Sequence, residues 1–540
     1  MRTITAVLSL LHQGPARPSS ASRLFRREPV LSWTLRRLAG ARLVTNRAIL
    51  CWDDQLPEVK PIASDSQCFI LSKAPRCRLP VLEAIAAARK WSEGWRGGLL
   101  GACWFDQGFH SAWINEICKN LQSEAILVVG ADAGLVDPVL IDGLISHAQQ
   151  HPAIEYCFSP AAPGLSGVLI RPALLERLAA SGGYLGRALN YWPDLPGRDP
   201  ISQEECAPVP AAVARTTHRF TLDSDRQVRR MEQMTICLNG QFMRTEAQAL
   251  VSTADECALA DGLPRDVTLE LNTHRATRPV YWSGRHLSIR RETLDLSEIG
   301  RLLDELATCD DIRLALGGVG DPLLAAGVLD VIAAANEAGI DSVHVETDLL
   351  GMDEAAIRRL VESPVDVVSV HIPATTGLTY QTIMGVDALG KVIGNVRLFL
   401  SHREDLKRGT PILAPTFTKC RENLHEMEGW YDYWLRAVGE AVMIGATDCA
   451  GQIPDAAVAD MSPPRRRACR RLNTRVTILS DGRVVSCEQD VRGVQSLGHI
   501  GKQSIQEICQ GSLASLRADH AAGQWDRHEA CRRCREWDRP

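Results

Sequence analysis

An α/β fold built on parallel sheets, in more than one domain, is what the sequence predicts, and three observations predict it. Short apolar runs of strand length alternate with amphipathic stretches of helix length, near the N-terminus and again from residue 267 onward. Gly, Pro, Asn and Asp punctuate these runs where strands must end. The chain also has 540 residues, too many for one ordinary core. Strands that alternate with helices lie parallel, with the loops that carry chemistry at their C-terminal ends.

In chain order, residues 3–11 read as a strand, 12–22 as a Gly/Pro/Ser-rich loop and 29–39 as a helix. Residues 49–52 and 125–129 read as further strands, closed by Asp53-Asp54 and by Gly130-Ala131-Asp132, with a helix over 141–147. The stretch 186–225, broken by Pro196-Gly197, Pro200, Pro208 and Pro210, reads as a linker. Residues 226–260 read as one or two helices. A repeating βα pattern follows, with strands at 267–271, 312–316, 342–346, 365–371, 395–400 and 412–417 and helices between them, as at 324–338 and 353–362. Such a run closes into a full or partial barrel with its site at the strand C-terminal edge. The domains expected are therefore 1–185, a linker 186–225, a barrel with N-terminal helices 226–460, and a small C-terminal domain 461–540.

Charge and composition narrow the partners. Lys and Arg number 60 against 65 Asp and Glu, a net charge of −5, which argues against nucleic-acid binding driven by overall charge. The 17 cysteines are odd in number and mostly scattered singly, unlike a secreted disulfide scaffold, so a reducing cytoplasm is expected. The apolar run 6–11 is read as a strand and not as a leader, and no run is long enough to span a bilayer.

The strongest local signal lies near the C-terminus. Residues 476–479 and 483–485 read as two strands joined by an Asp481-Gly482 turn, with Cys469 before the hairpin and Cys487 after it. Cys531-Arg-Arg-Cys534 follows. A thiolate pair on a hairpin plus a CxxC can close around a metal or an iron-sulfur cluster. A four-thiolate zinc site and a set of plain buried thiols are the two other readings of the same residues. The arginine runs 465–467, 470–471 and 532–533 flank the cysteines and read as a solvated face or as counter-charge to an anionic cluster.

This segment resembles the SPASM domain, the auxiliary-cluster domain of many radical SAM enzymes. The resemblance runs through Cys469, the Asp481-Gly482 hairpin, Cys487, Leu497-Gly498-His499-Ile500, Ser504 to Ile508, Leu516-Arg517 and Cys531-x-x-Cys534. It implies one 4Fe-4S cluster held by Cys469, Cys487, Cys531 and Cys534, and leaves Cys509 as packing. The middle of the chain resembles the partial (β/α)6 barrel of the radical SAM superfamily. Leu316-Gly317-Gly318-Val319-Gly320-Asp321-Pro322-Leu323 is similar to that family's Gly-x-Gly-Glu-Pro-Leu, which contacts SAM, so Gly318, Gly320 and Asp321 are candidates for a SAM or nucleotide edge. The chain departs from the family after the first strand. There Arg275, Pro279 and Trp282 stand where CxxxCxxC would, and His274 alone cannot replace three thiolates.

The N-terminal third resembles the Rossmann-like cytidylyltransferases and nucleotide-sugar pyrophosphorylases. Gly130-Ala131-Asp132-Ala133-Gly134-Leu135-Val136-Asp137-Pro138 is similar to the family's Gly-Asp-x-Pro-Leu-Val-Asp-Pro, which places Asp132 at a Mg2+ and nucleotide position, with Arg23 at the family arginine. The first loop departs from the family, because Pro15 and Pro18 remove N–H donors from a phosphate cradle and no lysine follows. The three parts together resemble the spiro-SPASM type of bacterial fusion protein. The expected function is a radical SAM/SPASM-like iron-sulfur protein with one auxiliary 4Fe-4S cluster and without reductive SAM cleavage. It would act as scaffold, electron relay or partner subunit in a biosynthetic pathway, glycan assembly among them. The alternatives are a Mg2+-dependent nucleotidyltransferase and a radical SAM enzyme with a displaced cluster. SAM, Mg2+, a small molecule or nucleotide and a partner enzyme are the further ligands that the resemblances offer; no catalytic residue is assigned.

Overall fold

A central strand, β1 (Ile4–Ser9), is buried along its whole length, as expected of a largely apolar run rich in β-branched residues and covered on both faces. In the computed structural model, which describes residues 1–13, 18–74, 79–194, 201, 203–238, 241–257 and 262–539, the chain forms two compact units, 1–260 and 261–540. The first-loop reading at 14–17 and the Pro196-Gly197 and Pro200 part of the linker reading lie outside the described residues.

In the first unit a short pair, β2 (Leu24–Phe25) and β3 (Glu28–Pro29), leads into helix Val30–Leu38. Strands β4 (Asn46–Trp52), β5 (Phe69–Lys73), β6 (Ala125–Gly130), β7 (Tyr156–Phe158) and β8 (Val168–Ile170) join β1 in a six-stranded sheet of order β5-β4-β1-β6-β8-β7. The first four strands of that order are parallel; β8 runs antiparallel to both β6 and β7. Helices Leu56–Asp65, Pro80–Lys90, Ser111–Asn120 and Pro138–Gln150 connect them.

Two findings here differ from the sequence reading. The described part of the expected linker is built into this unit. Phe220 and Leu222 are fully buried, with Phe220 N donating to Pro163 O at 2.9 Å and Leu222 N to Asp132 O at 2.9 Å. Pro208 and Pro210 break the periodicity there and hide the packing. The helices Asp225–Cys237 and Ala247–Glu256, which the sequence attached to the barrel, also pack in this unit. Val228, Met231, Met234, Leu250 and Val251 share one core with Phe25, Trp33 and Leu135.

The second unit begins with six parallel strands, β9 (Asp266–Leu269), β10 (Arg313–Leu316), β11 (Ser342–Thr347), β12 (Val367–His371), β13 (Ile412–Lys419) and β14 (Val442–Gly445). Helices Leu296–Leu306, Val328–Ala338, Glu354–Glu362, Leu389–Asp405 and Met427–Val438 link them as an open α/β barrel. The expected strand at 395–400 is instead part of helix Leu389–Asp405. Val392, Val396, Phe399 and His402 recur every three or four residues and are its buried stripe. The sixth strand is β14, a half-exposed edge too short to stand out in sequence.

The C-terminal hairpin extends this same sheet. Strand β15 (Arg475–Ile478) pairs in parallel with β9, Arg475 opposite Asp266 and Ile478 opposite Leu269. Strand β16 (Arg483–Val485) pairs antiparallel with β15, and β17 (Gly498–His499) with β16. The order is β14-β13-β12-β11-β10-β9-β15-β16-β17. Residues after β16 and before β15 therefore lie at the N-terminal edge of the parallel strands, and the hairpin turn lies at their C-terminal edge. Among the described residues no helix is long and apolar enough to cross a membrane.

Candidate metal centre

The Asp481-Gly482 turn fixes where the cysteines go. Leu479 N donates to Arg483 O at 2.9 Å and Gly482 N to Leu479 O at 2.9 Å. Gly482 has φ +82°, and a Cβ there would stand 2.7 Å from the His499 ring, so the turn requires glycine. Strand β16 then delivers Cys487 back beside the start of β15, where the short helix Arg471–Thr474 follows Cys469. Cys531 lies in the short helix Glu529–Arg532, and Cys534 N donates to Cys531 O at 3.1 Å. Cys534 lies within electrostatic reach of Cys469, Cys487 and Cys531, though the four thiols do not stand as a ready-made metal group. Cys509 is 2% exposed in the apolar core, as packing.

Burial raises every one of these thiols. It pushes Cys531 up to about 12, with Cys534 and Cys469 adding to it, and Cys534 up to about 11; Cys469 and Cys487 also rise. As free thiols they stay protonated at neutral pH, and only a bound cation draws them out as thiolates. The chain places donors and positive charge to help. Glu536 N donates to Cys534 Sγ at 3.3 Å, and backbone N–H groups of Arg471 and Leu472 face Cys469. Arg466 is anchored on the carbonyls of Cys531 at 2.7 Å and Arg532 at 3.2 Å, and acts on the thiols of Cys531 and Cys534. Arg471, paired with Glu488, acts on Cys469 and Cys487. The Nε of each of these arginines is buried without a partner.

At the C-terminal edge of the barrel the geometry is different. Arg275 Nε donates to Asp348 Oδ2 at 2.7 Å and its Nη2 meets both Asp348 and His371 Nδ1, the latter at 2.6 Å. The guanidinium lies 4.2 Å from the Trp282 ring centroid, and Trp282 Nε1 donates to Val319 O at 2.8 Å. Burial works against ionisation of Asp348, but Arg275 and His371 outweigh it and hold the carboxyl below its usual range. Pro279 is buried and His274 is exposed. Asp321 is spent internally: Oδ1 accepts from Leu323 N at 3.0 Å, and Oδ2 from Thr347 Oγ1 and Asp348 N, each at 2.9 Å. A Cβ at Gly320 would stand 2.2 Å from Asn272 Oδ1, and one at Gly318, φ +122°, 2.8 Å from Glu270. These glycines thus admit neighbouring side chains of the chain itself.

In the first unit Asp132 follows β6 as expected, but it is 1% exposed. Its Oδ2 has no partner, and burial, then the Asp223 carboxylate, raise its pKa. Beside both carboxylates lies Arg219, ion-paired with Asp223 and, at 3.1 Å, with Glu93. Arg23 pairs with Asp225. A divalent ion does not fit this arrangement, since a cation of the chain already lies beside the carboxylate pair. Among the described residues no group of three or more His, Cys, Asp or Glu side chains stands ready for a single metal ion.

A family model described as the SPASM iron-sulfur cluster-binding domain matches residues 469–535. An uncharacterized protein of Treponema pallidum (strain Nichols) is 30% identical over 235 residues, which is 40% of this chain. The match spans 64% of that relative's length, under two thirds. Among solved structures, BtrN in complex with AdoMet and 2-DOIA is similar at 17% identity and TM-score 0.36, covering 51% of this chain and 94% of that one. A cytidylyltransferase from Leptospira borgpetersenii serovar Hardjo-bovis (strain JB197) is similar at 13% identity and TM-score 0.33, covering 47% of this chain and 94% of that one. SuiB of Streptococcus suis, bound to the precursor peptide SuiA, is similar at 9% identity and TM-score 0.40, covering 67% and 89%.

A SPASM domain implies iron-sulfur binding, and the chemistry of these residues suits that group: four thiols linked electrostatically through Cys534, an N–H donor to sulfur, and two guanidiniums with an unused Nε–H. Sequence reading found the cysteines and missed the roles of Arg466 and Arg471, whose signal was only an arginine run. It also missed His520, 2% exposed, whose Nδ1 accepts from Cys469 N at 3.4 Å and whose Nε2 is unpartnered. Asp348 and His371 had a signal, each standing at a strand C-terminus, but no spacing ties them to Arg275.

Proposed function

We propose that this chain is an iron-sulfur protein of the SPASM type in which Cys469, Cys487, Cys531 and Cys534 hold one 4Fe-4S cluster, and whose barrel does not cleave SAM reductively. Its role is that of scaffold, electron relay or partner subunit in a biosynthetic pathway, glycan assembly among the candidates. The gathering of three thiols around Cys534 carries this reading. When bound, such a cluster supplies one-electron chemistry. The chain's own residues supply the rest: backbone N–H groups orient the sulfurs, and Arg466 and Arg471 offset the negative charge of four thiolates. Reductive SAM cleavage needs an iron with an open position, hence three thiolates at the first barrel loop. Arg275, Pro279 and Trp282 provide none, and Arg275 is committed to Asp348.

Anaerobic purification followed by assay of iron, acid-labile sulfide and zinc tests the cluster. Stoichiometric iron and sulfide are expected, and zinc without sulfide overturns it. Dithionite-reduced protein incubated with SAM tests the barrel; no 5′-deoxyadenosine is expected, and multiple turnovers overturn that half.

A further inference from the structure

Two thiols of the first unit lie against one another. Cys237 ends the helix Asp225–Cys237, and Cys257 caps the helix Ala247–Glu256. Their Sγ atoms stand 3.0 Å apart, within hydrogen-bond distance. The apolar contact between the helices brings them together. Met234 and Ala254, each three residues before its cysteine, are buried in one core, so the cysteines fall one turn further along the facing sides. Cys237 is exposed and Cys257 half-buried, whereas Cys51, Cys103, Cys118 and Cys157 of the same unit are buried. Neither of the two is among the four cysteines of the candidate cluster.

We propose that Cys237 and Cys257 are a redox-active pair that closes to a reversible disulfide, with a low-molecular-weight disulfide as oxidant. An S–S bond is about 2.0 Å long, so the sulfurs have about 1 Å to close, a movement of side-chain scale. Cys237 attacks first. The hydrogen bond from Cys237, and then burial, push the Cys257 thiol up to about 11, so Cys257 keeps its proton while Cys237 meets solvent. The Cys237 thiolate attacks one sulfur of the oxidant, whose S–S bond breaks; a mixed disulfide forms and one thiolate leaves. The hydrogen bond that held the Cys257 proton is then gone. Cys257 ionises and attacks the Cys237 sulfur, and the second thiolate leaves. Each released proton ends on a departing thiolate. Two protein thiols have lost two electrons, and one external disulfide has become two thiols. The helices so tied carry Val228, Met231, Leu250 and Val251 into the core they share with Trp33 and Leu135. The chain between them grips the loop after β6. Arg37 Nη1 donates to Phe242 O at 2.9 Å and Met243 O at 2.8 Å, Arg37 Nε to Val136 O at 2.8 Å, and Ala247 N to Asp137 Oδ2 at 2.6 Å. A bond between positions 20 apart restrains the unfolded chain, and so holds both helices on the loop that carries Asp132.

Trypsin cuts after Arg230, Arg244 and Arg265, which leaves each cysteine alone in its own peptide with a cut between them. The full-length protein is equilibrated with glutathione disulfide, quenched in acid, alkylated, digested and weighed by mass spectrometry. Peptides 231–244 and 245–265 are expected as a linked pair that dithiothreitol separates. C257S should carry glutathione on Cys237, and C237S should leave Cys257 modified about 10-fold less. Hydrogen exchange over 225–237 and 247–256 should slow about 10-fold or more in the oxidised protein, and not in C237S/C257S. That double variant should keep the parent's iron content. Glutathione on both cysteines without a cross-link, links from either to another cysteine in preference, or exchange unchanged by oxidation overturns the proposal. Iron lost from C237S/C257S would assign the pair to the cluster and overturn it as well.

Discussion

Replacing Asp348 by Asn leaves the Arg275 guanidinium buried against a neutral amide. The two side chains are 0% and 5% exposed, so water cannot take over the lost charge. Breaking a buried pair from one side costs about 3–5 kcal/mol, a large share of the net stability of a domain. Read locally by hydrogen exchange, that is an acceleration of about 10²- to 10⁴-fold in peptides over β11 and β12. Because Arg275 holds the Asp348 carboxyl below the usual carboxylate range, its contribution is complete above about pH 4 and is lost only as pH falls through the lower folded value. The penalty should therefore be the same at pH 5 and pH 8. The double variant R275M/D348L, which removes both charges at similar volume, is expected to return exchange close to the parent rate. Exchange in D348N within threefold of the parent, or a penalty that grows between pH 8 and pH 5, would refute the buried pair.

Phe220→Ala empties a fully buried site and is expected to cost about 3–5 kcal/mol in urea unfolding, where a linker residue would cost under about 0.5. Gly482→Ala forces a Cβ into a left-handed turn against His499; a loss of about 1–2 kcal/mol or more is expected, seen as a lower melting temperature. Arg466→Gln keeps most of the side-chain length and removes the charge beside Cys531 and Cys534. It should let a chelator strip iron at about 10-fold lower concentration, with unchanged far-UV circular dichroism.

What the sequence disclosed is what local rules govern. The Asp481-Gly482 hairpin and five of the six parallel barrel strands follow from turn chemistry and strand period, and they stand within a few residues of expectation. Residues 395–400 misled because a six-residue window shows apolar alternation, while the stripe Val392, Val396, Phe399 and His402 needs three helical turns to be seen. The four cysteines stood out as candidates because their spacing is informative. Their counter-charges were not, since an arginine run reads the same on a solvated face. The Arg275 contacts were beyond reach altogether: its partners Asp348 and His371 lie 73 and 96 positions away.

One device recurs, separately in each unit. Where the sequence resembles a site that needs an exchangeable positive centre, the chain supplies a fixed one. Arg219 lies beside Asp132 and Asp223; Arg275 lies on Asp348 at the loop where three thiolates would be required. A guanidinium keeps its charge at every pH at which the fold survives; Arg275 holds Asp348 ionised, while Arg219 lessens but does not cancel the rise that burial and Asp223 impose on Asp132. But a guanidinium has donors only. It accepts no lone pair, opens no coordination position and stores no electron, so it keeps the electrostatics of such a site while giving up the chemistry. A residue that merely filled space there would leave the carboxylates uncompensated, at several kcal/mol each. Arginine stands at both edges, and Cys469, Cys487, Cys531 and Cys534 are the sulfur donors on which the proposed cluster depends.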